Sequence, residues 1–142
     1  MKTSSVGALT GFLLATLATG TANAEDTDFI LANNTQFSVF YVYFWPVTDD
    51  GPGPDRLGRK TLSSGKRLQF TPRDGGCHYN IRVGLENDKY EEWNNVNLCN
   101  LSSVTLNYDY LNRELWASTS TSRFPDFTRG EERYGVLYRS GR

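Results

Sequence analysis

Few residues in this sequence have the chemistry for catalysis. His78 is the single histidine among 142 residues, which excludes a multi-histidine metal site or a choice of imidazole bases. Its neighbour Cys77 would complete a nucleophile–base pair only as a free thiol. A Ser-His-Asp arrangement through His78 lacks the G-x-S-x-G turn that presents the serine in one large class of hydrolases. Glycoside hydrolysis needs two carboxyl groups about 5 to 9.5 Å apart across a shared cleft. Glu91 and Glu92 are adjacent, and adjacent side chains on a strand take opposite faces. Asp49, Asp50 and Asp55 lie in one loop and could offer oxygens to Ca²⁺, but their spacing fits no EF-hand and a solvated turn is the simpler reading. The expectation is a protein that is not an enzyme, with no metal site and no cofactor.

What remains is the chemistry of contact. Tyr41, Tyr43 and Trp45 alternate along one apolar run, so on a strand they share a face at ~6.6 Å intervals. Exposed, they make a flat platform with polar rims, suited to a sugar chain or an extended partner. A second sheet packed over them would instead place them in a core. The run leads directly into the loop Asp49 to Asp55, where two prolines and two glycines stop any ladder. Tyr41, Tyr43, Trp45, Asp49, Asp50 and Asp55 are therefore the candidate binding surface. With 15 Lys and Arg against 16 Asp and Glu, the net charge of −1 gives no general nucleic-acid binder.

The elements that would position these residues are short β-like runs separated by turn residues, with no sustained helical period. The runs are Phe29 to Ala32, Gln36 to Trp45, Leu57 to Leu62, Arg67 to Thr71, His78 to Leu85, Trp93 to Leu98, Val104 to Tyr110 and Glu114 to Ser118. They predict an all-β domain, a small antiparallel β-sandwich or partly open barrel of about seven or eight strands. In the fifth run Tyr79, Ile81, Val83 and Leu85 alternate with His78, Asn80, Arg82 and Gly84, giving one buried and one wet face. In the second run strict alternation puts Phe40, Val42 and Phe44 on one side, and Phe37, Val39, Tyr41, Tyr43 and Trp45 on the other.

Lys2, the apolar run Val6 to Ala18 and Ala22-Asn23-Ala24 before Glu25 have the order of a secretory signal, with cleavage expected after Ala24. The apolar stretch falls short of the ~20 residues that a membrane span needs, so no transmembrane segment is expected once the leader is removed. The protein is then secreted or periplasmic, and in that compartment the two cysteines, Cys77 and Cys99, default to one disulfide. Asp88 lies midway between them, so a hairpin turning through Glu86 to Lys89 brings both sulfurs to its open end. Trp93 and Val96 have opposite parity, and burying both requires a bulge near Asn94-Asn95 that shifts the register at Cys99. The sequence divides into a signal peptide at 1–24, a β-sandwich domain at 25–118 and a polar, flexible C-terminal tail at 119–142. Within the tail Phe124 and Phe127, or Tyr134 to Tyr138, could dock or add an edge strand.

The string Cys77-His78-Tyr79-Asn80-Ile81-Arg82-Val83, followed by Trp93-Asn94-Asn95-Val96-Asn97-Leu98-Cys99 and Val104-Thr105-Leu106, resembles a group of small exported bacterial β-sandwich proteins of unknown function. Asn34-Thr35, an apolar strand ending at Pro46, Asp55-x-Leu57-Gly58, Leu62 and Gly65 fit the same pattern, which covers about residues 30 to 110. The chain departs from it at Gly51-Pro52-Gly53-Pro54, where such proteins tend to carry Trp-Gly. The resemblance implies a small sandwich with a Cys–Cys staple and brings no activity. A weaker similarity, through Asp49-Asp50, Leu57-Gly58, Leu62, Gly65 and Phe70, is to the secreted plant self-incompatibility proteins, which act by recognition. The expected function is recognition of an unidentified protein or glycan outside the cytoplasm, or a structural role there. A secreted carbohydrate-binding module or a small hydrolase is the alternative.

Overall fold

The structure, a computed structural model, describes residues 26–73, 76–120 and 134–137. The expected leader at 1–24 and the tail positions Phe124 and Phe127 lie outside the described residues. Eight strands are present among those described: β1 Phe29–Asn33, β2 Val39–Pro46, β3 Arg67–Phe70, β4 His78–Leu85, β5 Tyr90–Asn97, β6 Ser103–Asp109, β7 Glu114–Ser120 and β8 Tyr134–Leu137. They form a five-stranded sheet in the order β3-β1-β6-β7-β8 and a three-stranded sheet in the order β2-β4-β5. All pairs are antiparallel except β1 with β6, which run parallel.

Alternation along the strands builds the core. Phe29 and Leu31 of β1, Val104 and Leu106 of β6, and Leu115 and Ala117 of β7 turn inward from one sheet, opposite Val42, Phe44, Tyr79, Ile81, Val83 and Trp93 from the other. The two layers meet edge-to-face where the Phe44 ring packs on Phe29 at 5.7 Å and on Phe70 at 5.5 Å between centroids. The all-β sandwich expected from the alternating runs is the observed fold. The sheet continues beyond residue 118, because β7 runs to Ser120 and Tyr134–Leu137 pairs with it as an edge strand.

Three local features depart from simple alternation. A bulge between Val39 and Tyr41 shifts the register of β2 against β4, so Val39 joins Val42 and Phe44 in the core while Phe40 stands 48% exposed. Strict parity placed Val39 with Tyr41, and the extra residue overturns that. A second bulge, on β5, sits at Asn94-Asn95: Tyr79 faces Val96 and Ile81 faces Trp93, so both Trp93 and Val96 are buried. Asn95 takes a left-handed φ of 57° there, and its N–H donates to the Asn80 side chain at 3.0 Å.

The third departure is Leu57 to Leu62, which is not a strand. Gly58 at φ 61° breaks the run, and Leu62 alone bridges to Val39. The segment instead covers the free edge of β2. The Asp55 carboxylate accepts from Val42 N–H, Arg56 N–H donates to the Val42 carbonyl, the Arg56 guanidinium donates to the Phe44 carbonyl, and Leu62 exchanges two bonds with Val39. Unpaired edge groups invite association with other strands, so this cover is protective.

The hairpin β4–β5 turns through Glu86 to Lys89 as expected, with Asp88 at φ 61° and Leu85 N–H donating to the Lys89 carbonyl. At its open end Cys77 and Cys99 are joined by a disulfide, with Cα atoms 5.2 Å apart. Cys99 lies in a short 3-10 turn, Leu98–Asn100, capped by the Asn97 side chain.

Candidate functional site

Tyr41, Tyr43 and Trp45 do not point into the core. They lie on the outer face of the three-stranded sheet, where the β2–β4 register sets Tyr41 opposite Gly84, Tyr43 opposite Arg82 and Trp45 opposite Asn80. The β4–β5 register extends two of these rows, with Tyr90 opposite Gly84 and Glu92 opposite Arg82. The face therefore carries Tyr41-Gly84-Tyr90 as one row across the sheet and Tyr43-Arg82-Glu92 as the next.

Gly84 shapes the first row. A methyl group placed there would overlap the Tyr41 ring, so the ring occupies the space over the Gly84 backbone, and it lies 5.4 Å from the Tyr43 ring at a 47° tilt. Burial pushes the Tyr41 hydroxyl above its ordinary pKa, and the Arg82 charge opposes that rise. The second row is anchored by Arg82, whose Nε and Nη2 donate to one Glu92 carboxylate oxygen at 2.7 and 2.6 Å. The same guanidinium lies over the Trp45 ring at 5.6 Å. The ion pair is partly exposed and contributes at most about 1 kcal/mol to stability; its effect is to fix a planar hydrogen-bonding group between aromatic rings.

The exposures within this face differ. Tyr90 is 60% exposed, Tyr41 and Tyr43 are half-buried, and Trp45 is only 7% exposed although it lies outside the contiguous core. The accessible platform is therefore Tyr41, Tyr43 and Tyr90 around Arg82, with Trp45 beneath the guanidinium as support. Substituting Gly84 by Ala tests the packing: it should displace the Tyr41 ring, change the near-ultraviolet dichroism and shift the urea midpoint by the equivalent of about 1 to 3 kcal/mol. An unchanged near-ultraviolet spectrum would contradict this geometry.

The loop residues divide as well. Asp49 and Asp50 are exposed in the turn after β2. The Asp55 carboxylate is directed toward the sandwich, accepting from Val42 and Leu57 N–H groups at 3.0 Å each, so it does not converge with the other two. Among the described residues no group of three or more His, Cys, Asp or Glu side chains is gathered as a metal ion requires. His78 is exposed at the start of β4, opposite Asn97. Glu91 turns inward and is buried while Glu92 faces out, the split that adjacency on a strand dictates.

Tyr90, Arg82 and Gly84 were not among the residues singled out from the sequence. Parity did place Arg82 and Gly84 on the wet face of their strand, but neighbourhood with Tyr41 and Tyr43 depends on the strand register. Tyr90 fell between the expected turn and an expected strand start at Trp93, and only the full length of β5 brings it onto the sheet. The outer face of the other sheet is different in character: Thr105, Asn107 and Ser118 with Trp116 exposed among them, and Asn107 bonded to Ser118 and to Asn34.

No family model and no curated protein matches the chain. Among solved structures it is similar to the NMR structure of a protein from Eubacterium rectale, at 18% identity and a TM-score of 0.47, covering 66% of this chain and 86% of that one.

Proposed function

We propose that the protein is an exported, non-catalytic recognition domain that binds a partner outside the cytoplasm through the outer face of β2-β4-β5. The observation that carries this reading is the cluster of Tyr41, Tyr43 and Tyr90 around Arg82 on a sheet face outside the core. Tyrosine and arginine combine a broad apolar or planar surface with hydrogen-bonding ends, and they supply much of the energy at protein interfaces. The disulfide-closed β4–β5 hairpin carries Arg82 and Tyr90, and β2, paired along β4, carries Tyr41 and Tyr43, so the cluster sits on paired strands and little order is lost on binding. Export is supported by the leader-like N-terminus and by the disulfide, which persists in oxidising compartments. Among the described residues no helix is long and apolar enough to cross a membrane. A non-catalytic role is supported by the opposed directions of Glu91 and Glu92, which do not share a cleft. The resemblance to small exported bacterial sandwiches supports export and carries no activity.

The test compares the immobilised wild-type protein with the double variant Tyr43→Ala/Tyr90→Ala in capturing material from a cell-envelope extract. The variant should fold, since neither ring belongs to the core, and should retain at most about a tenth of the captured material, given the usual cost of removing interface aromatics. Equal capture by a folded variant contradicts the proposal.

A further inference from the structure

Between Arg56 and Arg73 the sequence carries six cations and no acidic residue: Arg56, Arg59, Lys60, Lys66, Arg67 and Arg73. The topology places this segment along one side of the sandwich. Residues 55–62 run beside the edge of β2, as the Arg56-to-Val42 bond and the Leu62–Val39 bridge show. The chain then crosses to the other sheet and forms its edge strand β3, which lies at the same side because the Phe44 and Phe70 rings are in contact. Arg59, Lys60, Lys66 and Arg67 are all exposed there. Among the described residues none of the four forms an ion pair, and Asp55, the acid that opens the segment, is turned toward backbone N–H groups. Asp26 and Asp28 lie at the far end of β3, where Asp28 accepts from Gln69 and Thr27 bonds the Pro72 carbonyl.

This side adjoins the aromatic face directly, since β2 carries Tyr41 and Tyr43 and is also the edge that the basic segment covers. We infer that the two surfaces form one site for an acidic polysaccharide, with sugar rings against Tyr41, Tyr43 and Tyr90 and carboxylates against the Arg59–Arg67 side; the inference rests on the aromatic face being the recognition surface. Charge complementarity selects the occupant. The whole chain is at −1, but at physiological salt fields are screened within about 8 Å, so a polyanion senses the local row of cations and not the net charge. Partly exposed tyrosine rings on an outer sheet face suit the apolar faces of pyranose rings, and Arg82, Glu92 and Asn80 in the same rows offer planar partners for hydroxyl groups. A bilayer would require apolar side chains protruding among the cations. Near this side the exposed large apolar residues are Phe40 of β2, Val47 just after it and Leu68 of β3, each between 40% and 48% exposed and spread over two strands and a turn, while Leu111, 94% exposed, is at the β6–β7 turn.

The experiment measures binding of the full chain to polygalacturonate, with neutral dextran and phosphatidylglycerol vesicles as comparison probes. Polygalacturonate should bind, with affinity falling about tenfold between about 50 and about 200 mM salt, as expected when a few cation–anion contacts release counterions. Lys60→Gln/Lys66→Gln and Tyr43→Ala should each weaken it by about tenfold while leaving the thermal unfolding transition in place. Absence of binding to polygalacturonate overturns the inference, as does salt-independent binding equal to that of dextran, or binding confined to vesicles. Polygalacturonate binding that Tyr43→Ala leaves unchanged overturns the joint site. If Tyr43→Ala/Tyr90→Ala abolishes capture from envelope extract while polygalacturonate fails to bind, the acidic-polysaccharide inference falls and the recognition face stands.

Discussion

Removing the Cys77–Cys99 disulfide should destabilise the domain by about 3 kcal/mol, the chain-entropy value for a loop of this length. The bond joins residues 22 apart in sequence and closes the open end of the β4–β5 hairpin. Without it the unfolded chain gains the freedom of that loop, while in the native state the Leu98-to-Cys77 backbone bond and the His78–Asn97 pairing still join the two ends. Domains of this size have net stabilities of about 5 to 15 kcal/mol, so the loss is a large fraction of the whole. The expected result for Cys77→Ala/Cys99→Ala is a urea midpoint lower by about 1 to 3 M, given usual denaturant slopes. An unshifted midpoint, or two alkylated thiols in the unreduced wild-type protein, contradicts it.

Replacement of Asn33 by Ala should have an effect of similar size, about 3 kcal/mol, because four hydrogen bonds in one enclosed site are lost together. Asn33 ends β1 fully enclosed. Its amide donates to the Phe37 carbonyl at 2.8 Å and to the Leu62 carbonyl at 2.9 Å, while its oxygen accepts from the backbone and hydroxyl of Thr35. One side chain thereby ties the turn after β1 to the segment that covers the edge of β2. Asn33→Asp gives a sign check. A carboxylate facing two carbonyl oxygens in a buried site has its folded-state pKa raised above the unfolded value. That variant should be most stable at low pH, where the carboxyl is protonated and can donate, and should lose stability as pH rises through the raised pKa. Equal midpoints for wild type and Asn33→Ala, or an Asn33→Asp variant that gains stability with rising pH, would overturn this assignment.

The same residues mark how far the sequence could be read. The two faces of β4, the turn at Asp88 and the pairing of the cysteines were legible because period-2 alternation and turn residues act locally and because two cysteines admit a single pairing. The bulge at Asn94-Asn95 was legible as a condition, since two large apolar residues of opposite parity cannot both be buried without one. The bulge at Phe40 was hidden, because aromatics on both faces of Phe37 to Trp45 satisfy either register. Residues Leu57 to Leu62 were misread as a strand for a related reason. A segment lying beside a sheet edge buries Leu57 and Leu62 as a strand does, while its hydrogen bonds come from side chains and a single bridge. Of the candidate surface, alternation alone placed Tyr41, Tyr43 and Trp45 together. The roles of Gly84, Arg82 and Tyr90 were set by non-local pairing, and the inward turn of Asp55 by an edge that needed a cover.

The outer face of β2-β4-β5 as the recognition surface is tested most directly by residue-resolved amide NMR of the labelled, disulfide-bonded protein, with and without solubilised cell-envelope extract. Perturbations should concentrate at Tyr41, Tyr43, Asn80, Arg82, Gly84, Tyr90 and Glu92, and an acidic polysaccharide in the extract should extend them to Arg59 and Lys60. Perturbations centred on Asn107, Trp116 and Ser118 of the opposite face, or a spectrum that does not change, would contradict this assignment.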